Sequence, residues 1–309
     1  MALLENDQLV LVKLETTYGA DSTPNNTNAV RLSNCKLNPV LDKADRKNMT
    51  GMLGNQGKIT VGKRVELSGD VELAGSGMAG VAPYYGVLLE VCAHEKKEIV
   101  GVSVIYTAID AMLKSGTIYW RSNKLQHKMT GVRGSVSFKL NPKEIPMASF
   151  KLIGIYNEPT VELAAVTGVD WTVAKTPIGV MNSTTDLILF GGNPRAASLS
   201  FDPGVKVEYR NLIGYEGVDL MDRKSEIKLK IEVSDADYVD YLAKANADSF
   251  GDFAFQVGAA AGTVVRFEAD NIQLSDTPSL SYQDSLAFFD IGAAIVPTER
   301  NNDYRIIYS

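Results

Sequence analysis

Few residues in this chain are placed to do chemistry. Gly75-Ser-Gly-Met-Ala-Gly80 satisfies G-x-G-x-x-G after an expected strand and before an expected helix, with Glu95 about 20 residues beyond Gly75, the spacing of a dinucleotide fingerprint. The preceding stretch alternates apolar and polar instead of reading as a buried parallel strand, however, and Glu95 falls at a helix end rather than a strand end. A tight chain reversal explains the same glycines. The two histidines, His94 and His127, and the two cysteines, Cys35 and Cys92, show no zinc-ligand spacing. No G-x-S-x-G, H-E-x-x-H or P-loop occurs. Trp120, Trp171 and the 13 tyrosines could build a sugar-binding face, although such residues more often fill sheets and subunit contacts. The expectation is a protein without catalytic residues, metal or cofactor.

Composition narrows the class further. At 309 residues, with 45% hydrophobic and 22% charged residues, the chain is long enough for about two globular domains. A net charge of -6 argues against tight neutralisation of nucleic-acid phosphates. Two cysteines cannot build a disulfide framework, and Glu5 and Asp7 stand where a signal peptide would carry positive charge. The sequons at Asn25, Asn48 and Asn182 then carry no weight. No apolar run reaches 18 residues, so no membrane helix is expected. The charge is unevenly spread. Residues 1–160 hold 19 Lys and Arg against 15 Asp and Glu, a balance of +4, whereas residues 161–309 hold 12 against 22, a balance of -10.

The elements follow from periodicity. Over residues 58–73, Ile59, Val61, Val65, Leu67, Val71 and Leu73 alternate with Arg64, Glu66, Asp70 and Glu72 on the opposite face, as in an antiparallel strand with one wet side. Pro83 opens an expected helix over 83–94 with Tyr84, Val87, Leu88 and Val91 at helical spacing. Strands are expected at 117–120, 132–140 and 147–156. The second half repeats this order. Glu226, Lys228, Lys230 and Glu232 alternate with Ile227, Leu229, Ile231 and Val233. Ser234 and Asp237 then cap a helix expected over 235–247. Leu37-Asn-Pro39 matches Phe201-Asp-Pro203, Gly116 to Trp120 matches Gly251 to Phe255, Ser137-Phe-Lys-Leu140 matches Asn271-Ile-Gln-Leu274, and the segment after Pro146 matches that after Pro278. The chain is therefore expected to be mainly β: two tandem β-sandwich domains, each with one flanking helix, over residues 1–165, including an N-terminal arm, and 166–309.

The residues Glu72-Leu-Ala-Gly-Ser-Gly-Met-Ala-Gly-Val-Ala-Pro83, Gly86-Val-Leu-Leu-Glu-Val-Cys92, Thr130-Gly-Val-Arg-Gly-Ser-Val-Ser-Phe138 and Ile145-Pro-Met-Ala-Ser-Phe150 resemble the major tail (tail tube) proteins of phages with long, non-contractile tails, most closely over residues 29–160. The resemblance implies tail-tube-like sandwiches whose strands join those of neighbours into a barrel around a DNA channel, in rings that stack into the virion's tail tube. Six domains make the family's ring. A chain carrying two would close a pseudo-hexameric ring as a trimer. The implied partners are copies of the chain, other tail proteins at the tube ends and DNA passing without tight binding, with no membrane and with assembly in the host cytoplasm. An acidic lining would let DNA slide. The candidate lumen residues are Arg64, Glu66, Asp70, Glu72, Glu226, Lys228, Lys230 and Glu232, although their mixed signs do not make an acidic face. Two polar segments, 42–57 and 211–224, are long for hairpin loops and become candidates for contacts between rings. They hold Asp42, Asp45, Arg46, Lys47 and Asn48, and Asn211, Glu216, Asp219, Asp222 and Arg223. The competing readings are a tail terminator or other ring-forming tail protein, a carbohydrate-binding adhesin module and a dinucleotide-dependent enzyme.

Overall fold

A computed structural model describes residues 7–49, 51–161 and 166–309. It is 53% strand and 8% helix. The first half runs β1 (Gln8–Leu14), β2 (Ala29–Val30), β3 (Ser33–Asp45), β4 (Lys58–Glu72), α1 (Gly86–Val91), β5 (His94–Ile99), β6 (Ser103–Ala108), β7 (Gly116–Ser122), β8 (Leu125–Lys139), β9 (Met147–Tyr156) and β10 (Thr160–Val161). The second half runs β11 (Thr185–Leu189), β12 (Arg195–Asp202), β13 (Val205–Leu212), β14 (Tyr215–Arg223), β15 (Glu226–Glu232), α2 (Asp235–Asn246), β16 (Phe250–Val257), β17 (Val265–Leu274), β18 (Ser279–Gln283), β19 (Leu286–Ile295) and β20 (Arg305–Tyr308).

Eight of these strands make one antiparallel sheet in the order β3, β4, β9, β8, β12, β15, β19, β18. Alternation along each strand gives the sheet two unlike faces. Val71, Ala148, Phe138, Phe201, Ile227 and Ala293 form one cross-strand row, all buried. Glu72, Met147, Lys139, Ser200, Lys228 and Gly292 form the adjacent row on the other, wet face. Outside this sheet, β20 pairs on one side with β17 and on the other with β6 of the first half. One apolar core therefore runs through both halves.

The strand pairings repeat. β1 pairs with β7 as β11 pairs with β16, and β10 pairs with the start of β8 as β20 pairs with the start of β17. Even the irregularities recur. The β7–β8 register slips between Gly116 and Ile118, and the β16–β17 register slips between Gly251 and Phe253. β12 continued by β13, against β14 continued by β15, repeats the long β3–β4 hairpin, with a bulge between Asp42 and Lys43 in one and between Lys206 and Val207 in the other. Bulges are set by backbone geometry, so their recurrence at matching places is stronger evidence of a repeat than matching apolar residues.

Several expectations need correction. The first helix is only Gly86–Val91, because Tyr85 provides no side-chain cap and Ala93 takes a φ of 61°, after which the chain enters β5. The second runs Asp235–Asn246 from the reciprocal Ser234 and Asp237 cap. Segment 211–224 is not a loop. Most of it is the strand β14, and only Ile213 and Gly214 separate it from β13. By register, the match of Ser137–Leu140 to Asn271–Leu274 is also displaced: Arg133 corresponds to Gln273, and Phe138 to Leu280 on the separate strand β18. The boundary at 165/166 borders residues 162–165, which lie outside the described residues.

Candidate functional site

The glycine motif joins the two halves by backbone contact. A Cβ on Gly75 would overlap the Gly262 carbonyl, and one on Gly262, whose φ is 83°, would overlap Gly77. The Gly77 N–H donates to the Gly262 carbonyl at 2.9 Å. Gly80 similarly abuts the turn at Ile99 and Gly101. These glycines permit close packing of loops, and the Gly77 amide that a phosphate would need is already committed.

Most of the remaining chemistry-bearing residues are also absorbed by packing, with Trp171 left exposed. The Leu89 carbonyl can only accept, so His94 donates to it from Nδ1 at 3.0 Å and accepts from Tyr304 at Nε2, 2.8 Å away. Burial pushes the His94 pKa down to about 4. Cys92 is buried, and burial raises the Cys35 thiol to about 11. His127 packs edge-on to Trp120. Among the described residues no cluster of His, Cys, Asp or Glu could hold a metal. Tyr85, Tyr106 and Tyr308 form a buried edge-on cluster, and Trp120 is buried as well.

What the fold does present is the wet face, its two edges and two arms. All eight candidate lumen residues lie by register on that single face. Lys139, Lys151, Lys228 and Lys230 share it with Glu66, Asp70, Glu72, Glu226, Glu232 and Asp290, so its sign is mixed and not acidic. Asp70 accepts from Ser149 Oγ and Asn34 Nδ2, and Arg64 pairs with Asp42 and Glu66 at 3.0 and 3.1 Å. Among the described residues, β3 pairs with β4 alone and β18 with β19 alone, which leaves these two strands as the free edges of the sheet.

The arms are the outer portions of the two long hairpins. In the first, residues 41–45 and 58–63 carry a connection whose described residues, 46–49 and 51–57, include exposed Arg46, Lys47 and Asn48 together with exposed Met49, Met52 and Leu53. Asp45 pairs with Lys58 at 3.0 Å. In the second, β13 and β14 cross β8 and β9 of the first half. The Val218 N–H donates to Tyr18 Oη at 2.6 Å, and Arg133 donates to the Val218 carbonyl at 2.7 Å while stacking on the Tyr18 ring. Asp219 pairs with Arg210 at 3.0 Å and lies 3.6 Å from Arg133, Glu216 accepts from Tyr209, and Asn211 donates weakly to the Val61 carbonyl. Asp222 is exposed beside Lys224. Arg223 is not at a surface. It turns inward to form a two-pronged pair with buried Asp303 at 2.8 and 3.1 Å and donates to the Ile109 carbonyl, tying second half to first.

Alternation of Val205, Val207 and Tyr209 with Lys206, Glu208 and Arg210 is the signal that could have revealed the second arm. A family model described as phage tail tube protein matches residues 5–290, nearly the whole chain. No curated protein matches the sequence.

Proposed function

The chain belongs to the phage tail tube proteins, structural components of the virion tail that self-assemble into a tube, and from that premise we propose that three copies close a pseudo-hexameric ring through the free strands β3 and β18. One observation carries this reading. Within the chain the halves are stitched by β8 and β12, with Phe138 opposite Phe201 and Lys139 opposite Ser200. The counterparts of those residues in the repeat are Leu280, Leu37, Ser281 and Lys36, and they sit on the two free edges. A second copy offering β3 to β18 would place Leu280 opposite Leu37 and Ser281 opposite Lys36. Leu280 is 43% exposed in the single chain whereas Phe138 is 1% exposed, as expected if a neighbour covers it.

Closure turns the wet face toward the axis and keeps the apolar face in the core. The lumen would then be lined by Arg64, Glu66, Asp70, Glu72, Glu226, Lys228, Lys230 and Glu232. Interleaved carboxylates and ammonium groups leave no continuous basic track, so DNA passes without being gripped, and the role is structural rather than catalytic. Residues 1–165 and 166–309 alternate around the ring as its six domains. With balances of +3 and -9 over these two ranges, alternation puts unlike charges beside each other. The loop 46–57 reaches the next ring, other tail proteins cap the tube ends, and assembly takes place in the host cytoplasm.

Native mass measurement and electron microscopy of assembled particles test this reading. Three chains per ring are expected, and six chains per ring would overturn it. A Leu37→Cys chain mixed with a Leu280→Cys chain, both with Cys35→Ser, should crosslink between copies. Assembly should slow from low to high salt; an unchanged rate would remove the electrostatic selection of order alone. Particles that stop at single rings would favour a tail terminator.

A further inference from the structure

We infer that the root of the first arm, residues 41–45 and 58–63, clasps the second half of a neighbouring copy within the same ring, as the second arm clasps the first half of its own chain. The inference rests on the ring reading above but adds a contact that strand closure does not require. The shared bulge fixes which residues correspond. Leu41 pairs with Lys63 one step before the bulge, as Val205 pairs with Arg223, and Ile59 pairs with Ala44 one step beyond it, as Asp219 pairs with Glu208. Val61 and Met221 are the extra residues that the two bulges leave unpaired.

Burial differs sharply at the first of these positions. Val205 is 6% exposed where the second arm passes β8, whereas Leu41 is 44% exposed; Ile59 is 55% exposed where Asp219 is half-buried, and the bulge residues Val61 and Met221 are both exposed, at 59% and 41%. Exposed apolar side chains on a protruding strand pair are a liability in a single chain, and the repeat identifies what covers them. The second arm rests on β8 and β9, where Arg133 and Tyr18 receive Val218. The counterpart of Arg133 is Gln273, and the counterpart of Asp219 is Ile59. The charged contact between Arg133 and Asp219 is thus replaced by an amide facing an apolar side chain. The loss of that one ionic contact suits the uncovered Leu41 and Ile59, the Asp45 and Lys58 charges of the arm being paired with each other, and the occupant is a second copy of the chain.

Hydrogen exchange on the full chain, compared between monomers and size-selected single rings, tests the clasp. Amides of residues 41–45 and 58–63 should exchange about tenfold or more slowly once rings form. In mixed rings of a Lys58→Cys chain and a Gln273→Cys chain, both carrying Cys35→Ser, a short bis-maleimide should join the two copies. Paired Leu41→Asp and Ile59→Asp changes should leave the monomer's melting temperature unchanged, because both side chains are exposed, while weakening ring assembly about tenfold or more. Rings that form with these amides unprotected and no crosslink would overturn the clasp and leave the ring reading standing. Protection that appears only in stacked tubes would assign the arm root to the next ring and also overturn the clasp. Absence of any ring would overturn both.

Discussion

The two arms offer the same ion pair in opposite surroundings. Lys63 and Glu158 meet at 3.0 Å, with Glu158 two residues before β10, while Arg223 and Asp303 meet at 2.8 Å, with Asp303 two residues before β20. By register Lys63 and Arg223 are counterparts. The first pair is exposed on both partners and the second is largely enclosed, with side chains 12% and 7% exposed. Its burial comes from the first half, through the Ile109 carbonyl and the His94 to Tyr304 contact close by. The same topology therefore yields a surface contact where a neighbour is missing and a buried anchor where one is present. An exposed pair contributes about 0–1 kcal/mol, and opening a buried one costs about 3–5 kcal/mol.

This difference can be broken from the buried side first. Arg223→Ala leaves Asp303 buried without its partner, and urea unfolding should register a loss of about 3–5 kcal/mol. A loss below about 1 kcal/mol would mean that the pair is hydrated and the contrast between the arms is illusory.

Acidification probes the same region. Burial holds His94 neutral, with its pKa lowered from 6.5 to about 4, and the cation of Arg223 acts in the same direction. The unfolded chain binds the proton more readily, so the stability due to the neutral imidazole is complete above about pH 6.5 and declines as pH falls toward 4. The integrated loss approaches about 3 kcal/mol. Unfolding curves from pH 7 to pH 4 check this, and a His94→Asn chain should have the flatter profile.

A smaller effect should follow from Tyr18→Phe, which removes the hydroxyl that receives the Val218 N–H. An orphaned buried amide costs about 1–3 kcal/mol, and faster hydrogen exchange confined to β13 and β14 would locate the loss in the second arm. The smallest effect is expected for Lys63→Ala, within about 1 kcal/mol for the monomer by thermal unfolding. A large loss there would show that the first arm is anchored without a neighbour.

Much of the fold was legible because its signals are local. The alternation in β4 and β15, the Ser234 cap of α2 and the bounds of β9 follow from periodicity and capping within a few residues. β5, read from His94-Glu-Lys-Lys-Glu-Ile99, has no apolar alternation and is held by pairing with β6. The register displacement of the second-half match arises because β8 is continuous, whereas its counterpart is broken between β17 and β18. The wet-face candidates were recoverable from their strands. The burial of Arg223 was not, since both Asp303 and Ile109 are distant in sequence.

By itself, then, the sequence determined a β-rich chain of two like halves, one wet and one dry side for its long strands, and the place of the second helix. These properties depend on side-chain order over one or two turns or a single strand. Only the tertiary structure decided that β8 pairs with β12, that Gly75, Gly77 and Gly262 form a crossing of two loops, and that one arm is covered while the other is left open. Each depends on which backbone groups and apolar surfaces meet across more than a hundred residues, and composition and periodicity carry no term for that encounter.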